Sequence, residues 1–190
     1  MEKIRIKDLN SISKEQLKGK IIVFPTDTVY GVGALYNDIE GIEKIYEMKK
    51  RDYGKLLPVL CSSIDQIKEI AETNELFEKY SKLWPGALTM ILNKNDSTSE
   101  SSNIKTIALR IPNSKIALSV LDYFGPMNVT SVNYSGEKEL NSPEEIEKCF
   151  GEYIDYLVMD TNELCAIPST IIDCTGETVK VLRQGIINIK

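Results

Sequence analysis

The run IIVF (21–24) followed by PTDTVYGVGA (25–34) decides how the rest of the chain is read. Four consecutive apolar residues ending at Pro25 have the pattern of a strand buried on both faces. The segment behind it places two hydroxyls (Thr26, Thr28), a carboxylate (Asp27) and two glycines (Gly31, Gly33) at that strand's end. Ligands of open α/β sheets commonly sit at strand ends, where backbone amides and short side chains approach closely. A tight turn whose threonines satisfy their own backbone fits the same residues. Neither GxxxxGK(S/T) nor GxGxxG is present, so no nucleotide fingerprint separates the two readings.

Outward from this point, β-rich runs alternate with amphipathic stretches, the pattern of an α/β layer protein. Residues 38–50 place Ile39, Ile42, Ile45 and Tyr46 on one helical face, with Asp38 available as N-cap. LLPVLC (56–61) reads as a strand despite Pro58, and Ile64, Ile67, Ile70 and Ala71 mark a short helix. A second helix carries Leu76, Phe77, Tyr80, Leu83 and Trp84 and is stopped by Pro85-Gly86. ALTMILN (87–93) and TIALRI (106–111) predict strands flanking a polar segment, 94–103, that is either a lid or slack. A helix over 116–124, a strand over 127–132 and a helix opened by Ser142-Pro143-Glu144-Glu145 follow, and strands at 156–159, 169–173 and 179–183 finish the chain. With no internal repeat and no linker between two cores, residues 1–190 are expected to form one α/β domain.

At 190 residues the chain can bury roughly 70% of its unfolded surface, so it needs no staple. The four cysteines, Cys61, Cys149, Cys165 and Cys174, are too scattered for a CxxC knuckle and read as buried small hydrophobes. No stretch offers the roughly 18 uninterrupted apolar residues of a membrane span, and MEKIRIKDLN lacks a signal peptide's apolar core, so a cytoplasmic location is expected. The absence of histidine excludes Ser-His-Asp and Cys-His nucleophile systems, HExxH zinc sites and an imidazole base. Any catalysis must then come from positioning and charge. A net charge of −5 argues against a general electrostatic grip on nucleic acid.

Cations are concentrated locally. Lys49-Lys50-Arg51 with Lys55 ends a helix, where it either complements the helix dipole or clamps phosphate oxygens. Arg110 and Arg183 end apolar strands, where each needs an anionic partner, from the protein or from a ligand. Together with Ser131-Val132-Asn133 and Ser169-Thr170 at other strand ends, they point to an anion-binding cleft. In TIALR, Thr106, Ala108 and Arg110 share one face by the strand period of two.

PTDTVYGVGA, KKRDYGK (49–55), WPGALTMIL (84–92), TIALRIP (106–112), TSVNYSG (130–136), PSTIID (168–173) and LRQG (182–185) resemble, in order and spacing, the YrdC/YciO family. The match runs from about residue 20 to residue 185 and is similar to the family's short, single-domain type. The resemblance implies a twisted, open mixed sheet with flanking helices around a concave cavity. It also implies an L-threonylcarbamoyladenylate synthase, which makes threonylcarbamoyl-AMP and pyrophosphate from L-threonine, bicarbonate and ATP, with Mg²⁺ accompanying the ATP and no metal held by the protein. The product would pass to a threonylcarbamoyl transferase complex that modifies tRNA, with at most a weak contact to tRNA itself. YciO-type relatives tend to lose the KxR motif, which Lys49-Lys50-Arg51 keeps.

Carried over by position, the resemblance assigns threonine to Thr28, Tyr30, Leu60, Arg110, Ser131 and Ser169. It assigns ATP to Lys49, Arg51, Lys55, Thr106, Asn133, Ser142 and Arg183, and the chemistry to Lys49, Arg51 and Arg110. Leu60 stands where long-form members often carry His, Lys55 where they often carry Asn, and Ala87 and Val132 replace the usual Pro and Ala. Two rivals are a non-enzymatic RNA-binding or ribosome-associated module and a carbamoyl-transfer module. The second relies on zinc-finger-like and acylphosphatase-like neighbours, for which this chain lacks the length and the cysteine spacing.

Overall fold

The computed structural model describes residues 1–95 and 104–189. Its strands are β1 (Glu2–Ile4), β2 (Ile22–Pro25), β3 (Tyr30–Leu35), β4 (Val59–Leu60), β5 (Leu88–Asn93), β6 (Thr106–Arg110), β7 (Met127–Ser131), β8 (Tyr156–Val158), β9 (Thr170–Asp173) and β10 (Lys180–Arg183). They form one mixed sheet in the order β1-β8-β2-β3-β7-β4-β6-β5-β9-β10, open at β1 and β10. The helices are α1 (Lys14–Leu17), α2 (Ile39–Lys49), α3 (Ile64–Lys68), α4 (Glu75–Tyr80), α5 (Lys115–Phe124) and α6 (Pro143–Phe150). No helix among the described residues is long and apolar enough to cross a membrane.

The strand period of two sorts the core. Ile22 and Phe24 pack with Ala117, Val120, Leu121 and Phe124 of α5, whereas Ile21 and Val23 pack on the other face with Ile45 and Met48 of α2 and with Ile146 and Phe150 of α6. A third cluster joins α3 and α4 to the far half of the sheet through Ile67, Phe77, Leu88, Met90 and Leu109. Caps define most helix starts: Ser63, Asn74, Ser114 and Ser142 each accept from a backbone N–H of the first turn.

Several expectations are corrected. Residues 30–35, read as part of a ligand loop, are a strand, because Gly31 and Gly33 let β3 lie against Val129 of β7. A Cβ on them would stand 2.7 and 3.1 Å from that side chain. Only Val59–Leu60 of the 56–61 run pairs as a strand, since Pro58 has no N–H to give a ladder. Asp38 precedes α2 but caps nothing there, and its carboxylate accepts instead from Gly19 N at 2.7 Å. Ile39, placed on the buried face, is 73% exposed. Cys149 and Cys165 are exposed, and only Cys61 and Cys174 are buried. The short β1 has too few residues to show a pattern and was not foreseen. Most of the expected lid or slack segment, from residue 96 to 103, lies outside the described residues.

Candidate functional site

Strands β5, β6, β7 and β9 wall a cavity of about 400 Å³. Its ends are formed by the β2–β3 hairpin, the turn after α2, and Arg183 of β10. Thr28, Arg51, Leu60, Thr106, Arg110, Ser131, Ser169 and Arg183 all line it, so residues far apart in sequence converge on one cavity. Thr106, Ala108 and Arg110 reach it from the same face of β6, Leu109 packs in the core, and Ile107 belongs to the core while also touching the cavity.

The hairpin is tied by its own hydroxyls: Thr26 Oγ1 donates to Val29 O at 2.8 Å and accepts from Thr28 N at 3.1 Å. The turn reading was therefore correct for Thr26, while Thr28 turns its hydroxyl to Arg110. That guanidinium, 6% exposed, donates to Gly86 O at 3.0 Å, Thr28 Oγ1 at 3.1 Å and Asp27 Oδ1 at 2.6 Å. Burial pulls the Arg110 pKa down and the Asp27 charge opposes it, so the pair sustains a cation against the cavity.

Ser169 is fixed on both sides. Its hydroxyl lies 2.8 Å from Thr89 Oγ1, and Arg183 donates to its carbonyl from Nε at 3.0 Å and from Nη2 at 2.9 Å. The return of the chain after Arg183 is possible only with glycine at 185, because a Cβ there would lie 2.3 Å from Pro168 O. Across the cavity, Ser131 Oγ donates to Asn133 Oδ1 at 2.8 Å, and Asn133 Nδ2 donates to Glu137 O at 2.7 Å. Arg51 spans its own turn, from Nε to Lys55 O at 2.9 Å and from Nη2 to Leu56 O at 3.1 Å.

Five expected site residues stand outside the cavity wall. Tyr30 points into the core beneath α2, because Tyr30, Val32 and Ala34 share the β3 face opposite Gly31. Lys49 is buried, and its ammonium donates to Ser131 O, Asn133 O and Asn133 Oδ1, which uses all three of its protons inside the protein. Asn133 is buried as the acceptor of that ammonium. Lys55 contributes its carbonyl to Arg51 and Tyr46 while its side chain is exposed. Ser142 is occupied as the N-cap of α6, accepting from Glu145 N at 3.3 Å and donating to Glu144 at 2.6 Å. Burial and the neighbouring Arg51 lower the Lys49 pKa to about 8.

Sequence reasoning noted Asp27 only as a carboxylate at a strand end and gave no place to Thr89 or Glu139. Asp27 and Thr89 were inside quoted motifs without a role, and the pairing of Asp27 with Arg110 would have supplied the anion that a buried arginine needs. Glu139 lines the cavity from an irregular segment and carried no sequence signal.

An open mixed α/β sheet with a cavity that gathers Arg51, Arg110 and Arg183 beside several hydroxyls defines the class of protein. Residues 15–185 match the Sua5/YciO/YrdC family model, described as "Telomere recombination", and the chain belongs to that family. A Methanocaldococcus jannaschii protein provisionally named a threonylcarbamoyl-AMP synthase is 32% identical, over 100% of this chain and 91% of its own length. The threonylcarbamoyl-AMP synthase of Vibrio campbellii is 29% identical over 95% of this chain and 100% of that protein. The crystal structure of Pyrococcus abyssi Sua5 complexed with L-threonine superposes with a TM-score of 0.83 at 29% identity, covering 96% of this chain. This chain spans 56% of the length of that Sua5 chain.

Proposed function

We propose that this chain is an L-threonylcarbamoyladenylate synthase. It joins L-threonine, bicarbonate and ATP into threonylcarbamoyl-AMP and releases pyrophosphate, for use in tRNA modification. The observation that carries this reading is the buried Arg110, which lines one cavity together with Arg51 and Arg183. The names of the M. jannaschii and V. campbellii relatives, and the threonine in the P. abyssi structure, support the same assignment.

In this reading Arg110 and Thr28 hold the amino acid, with Ser131 and Ser169 as further polar contacts and Leu60 as an apolar wall. Arg51, Thr106 and Arg183 hold the nucleotide. Threonine's amine adds to bicarbonate with loss of water, and the N-carboxylate so formed attacks the α-phosphorus and displaces pyrophosphate. Negative charge grows on phosphate oxygens in that step, and cations fixed beforehand in a cavity stabilise it without reorganising. Arg51 and Arg183 are fixed in this sense by their bonds to the backbone. Lys49 acts one step removed, by holding Ser131 and Asn133 in place.

Mg²⁺ enters with ATP as the MgATP substrate in this reading; among the described residues no group of three or more Cys, Asp or Glu stands close enough together to hold a metal ion. It would neutralise charge on the phosphates. A downstream transferase complex, a weak contact with tRNA and a cytoplasmic location complete the proposal. The test is to supply ATP, carbon-labelled bicarbonate and each amino acid in turn. A labelled adenylate formed with threonine supports the reading, and an absence of label in any adenylate overturns it.

A further inference from the structure

Arg110 has five N–H groups and commits three of them, to Gly86 O, Thr28 Oγ1 and Asp27 Oδ1. Two donors remain for a ligand in the cavity that Arg110 lines. Asp27 is similarly half-used. Its Oδ1 is 2.6 Å from Arg110 Nη2, whereas Oδ2 has no hydrogen-bond partner among the described residues, and the side chain keeps 16% exposure beside the 7% of Arg110. The backbone that carries this carboxylate is also held. The Asp27 carbonyl accepts from Cys165 N at 3.1 Å, and the hydroxyls of Thr26 and Thr28 on either side meet at 3.0 Å.

A fixed cation and a fixed anion side by side form a template for an α-amino acid, whose carboxylate and ammonium hang on one carbon. Arginine alone would accept any small carboxylate; the neighbouring anion adds a demand for a positive group beside it. Asp27 is not itself in the cavity wall but lies between Thr26 and Thr28, which are, and bonds Arg110, which also lines it; Glu139, the carboxylate in the wall, has Lys49 and Arg183 as its charged neighbours. Building on the threonine reading above, we infer that Asp27 receives the α-ammonium of the amino acid whose carboxylate Arg110 holds, and so selects α-amino acids over hydroxy acids. Asp27 is then a specificity-determining contact for the substrate, with its ion pair to Arg110 setting its position.

Calorimetric titration with L-threonine and with 3-hydroxybutyrate, which keeps the carboxylate and hydroxyl but lacks the amine, tests this. The wild-type protein should bind threonine about 10- to 100-fold more tightly than 3-hydroxybutyrate, the worth of one charge-assisted hydrogen bond. Asp27→Asn keeps the shape and an oxygen for Arg110, so it should remove that preference by weakening threonine while leaving 3-hydroxybutyrate within about twofold. Asp27→Glu, which restores the charge, should recover part of the preference. Equal weakening of both ligands would mean that Asp27 only orients Arg110, and unchanged threonine binding in Asp27→Asn would also overturn the inference. A wild-type protein that binds no threonine would instead remove the functional reading on which the inference rests.

Discussion

The Lys49 ammonium and Asn133 form a single unit, with Nζ 2.7 Å from Asn133 Oδ1 and 2.9 Å from the Asn133 carbonyl. Ser131 joins it twice, its carbonyl accepting from Lys49 and its hydroxyl donating to Asn133 Oδ1. A lysine at the end of α2 thereby sets the end of β7, and the cavity wall at Ser131 depends on a residue that does not itself face the cavity.

Removing that ammonium leaves buried acceptors unpaired. Lys49→Met should cost on the order of 2–4 kcal/mol of stability. In a chain this size that lowers the melting temperature by about 5–15 °C. The KM for ATP should rise in the same variant. A raised KM with an unchanged melting temperature would show that Lys49 is a direct phosphate ligand and not a positioning residue.

The same group makes stability depend on pH. Lys49 falls from an ordinary 10.5 to about 8 in the folded protein, so between these values the unfolded chain binds more protons. Stability contributed at Lys49 therefore rises with pH across that window, is complete above 10.5 and is lost as pH falls through 8. Unfolding free energies of the wild type and of Lys49→Met, compared from pH 7.5 to 10.5, should show the wild type gaining relative to the variant. A constant difference would contradict the lowered value.

Arg51 and Lys55 should separate although they sit in one basic motif. Arg51→Ala removes a guanidinium that lines the cavity and should raise the KM for ATP by about tenfold or more. Lys55→Ala leaves the carbonyl that Arg51 uses and removes only an exposed ammonium, so its effect should stay below about threefold. Equal increases in steady-state KM would return Lys55 to the nucleotide site.

Arg110→Lys keeps a charge but gives up the planar fork that spreads over Gly86, Thr28 and Asp27. The KM for threonine should rise at least tenfold while that for ATP moves by no more than a few-fold. A wild-type threonine KM in this variant would reduce Arg110 to a partner of Asp27.

Where the sequence was legible and where it was not follows from what kind of information each residue carried. Thr106 and Arg110 were readable because a regular strand fixes which side chains share a face. Tyr30 was misjudged for the converse reason, since glycines at 31 and 33 hid the strand whose alternation turns it into the core. Lys49 showed its charge but not its burial, which depends on acceptors at residues 131 and 133, brought beside it by long-range pairing of β3 with β7. The anion needed by Arg110 was predicted in kind, but its identity as Asp27 required the approach of β6 to the β2–β3 hairpin. Ser142 was both a helix cap and a nucleotide candidate, and local hydrogen bonding accounts for it as a cap.

The most direct measurement is pyrophosphate release by the purified chain, with ATP held constant and threonine and bicarbonate each omitted in turn. Release should require both, and no other single amino acid should replace threonine at equal rate. Equal release after omission of either one would contradict the assignment of this cavity to threonylcarbamoyl-AMP synthesis.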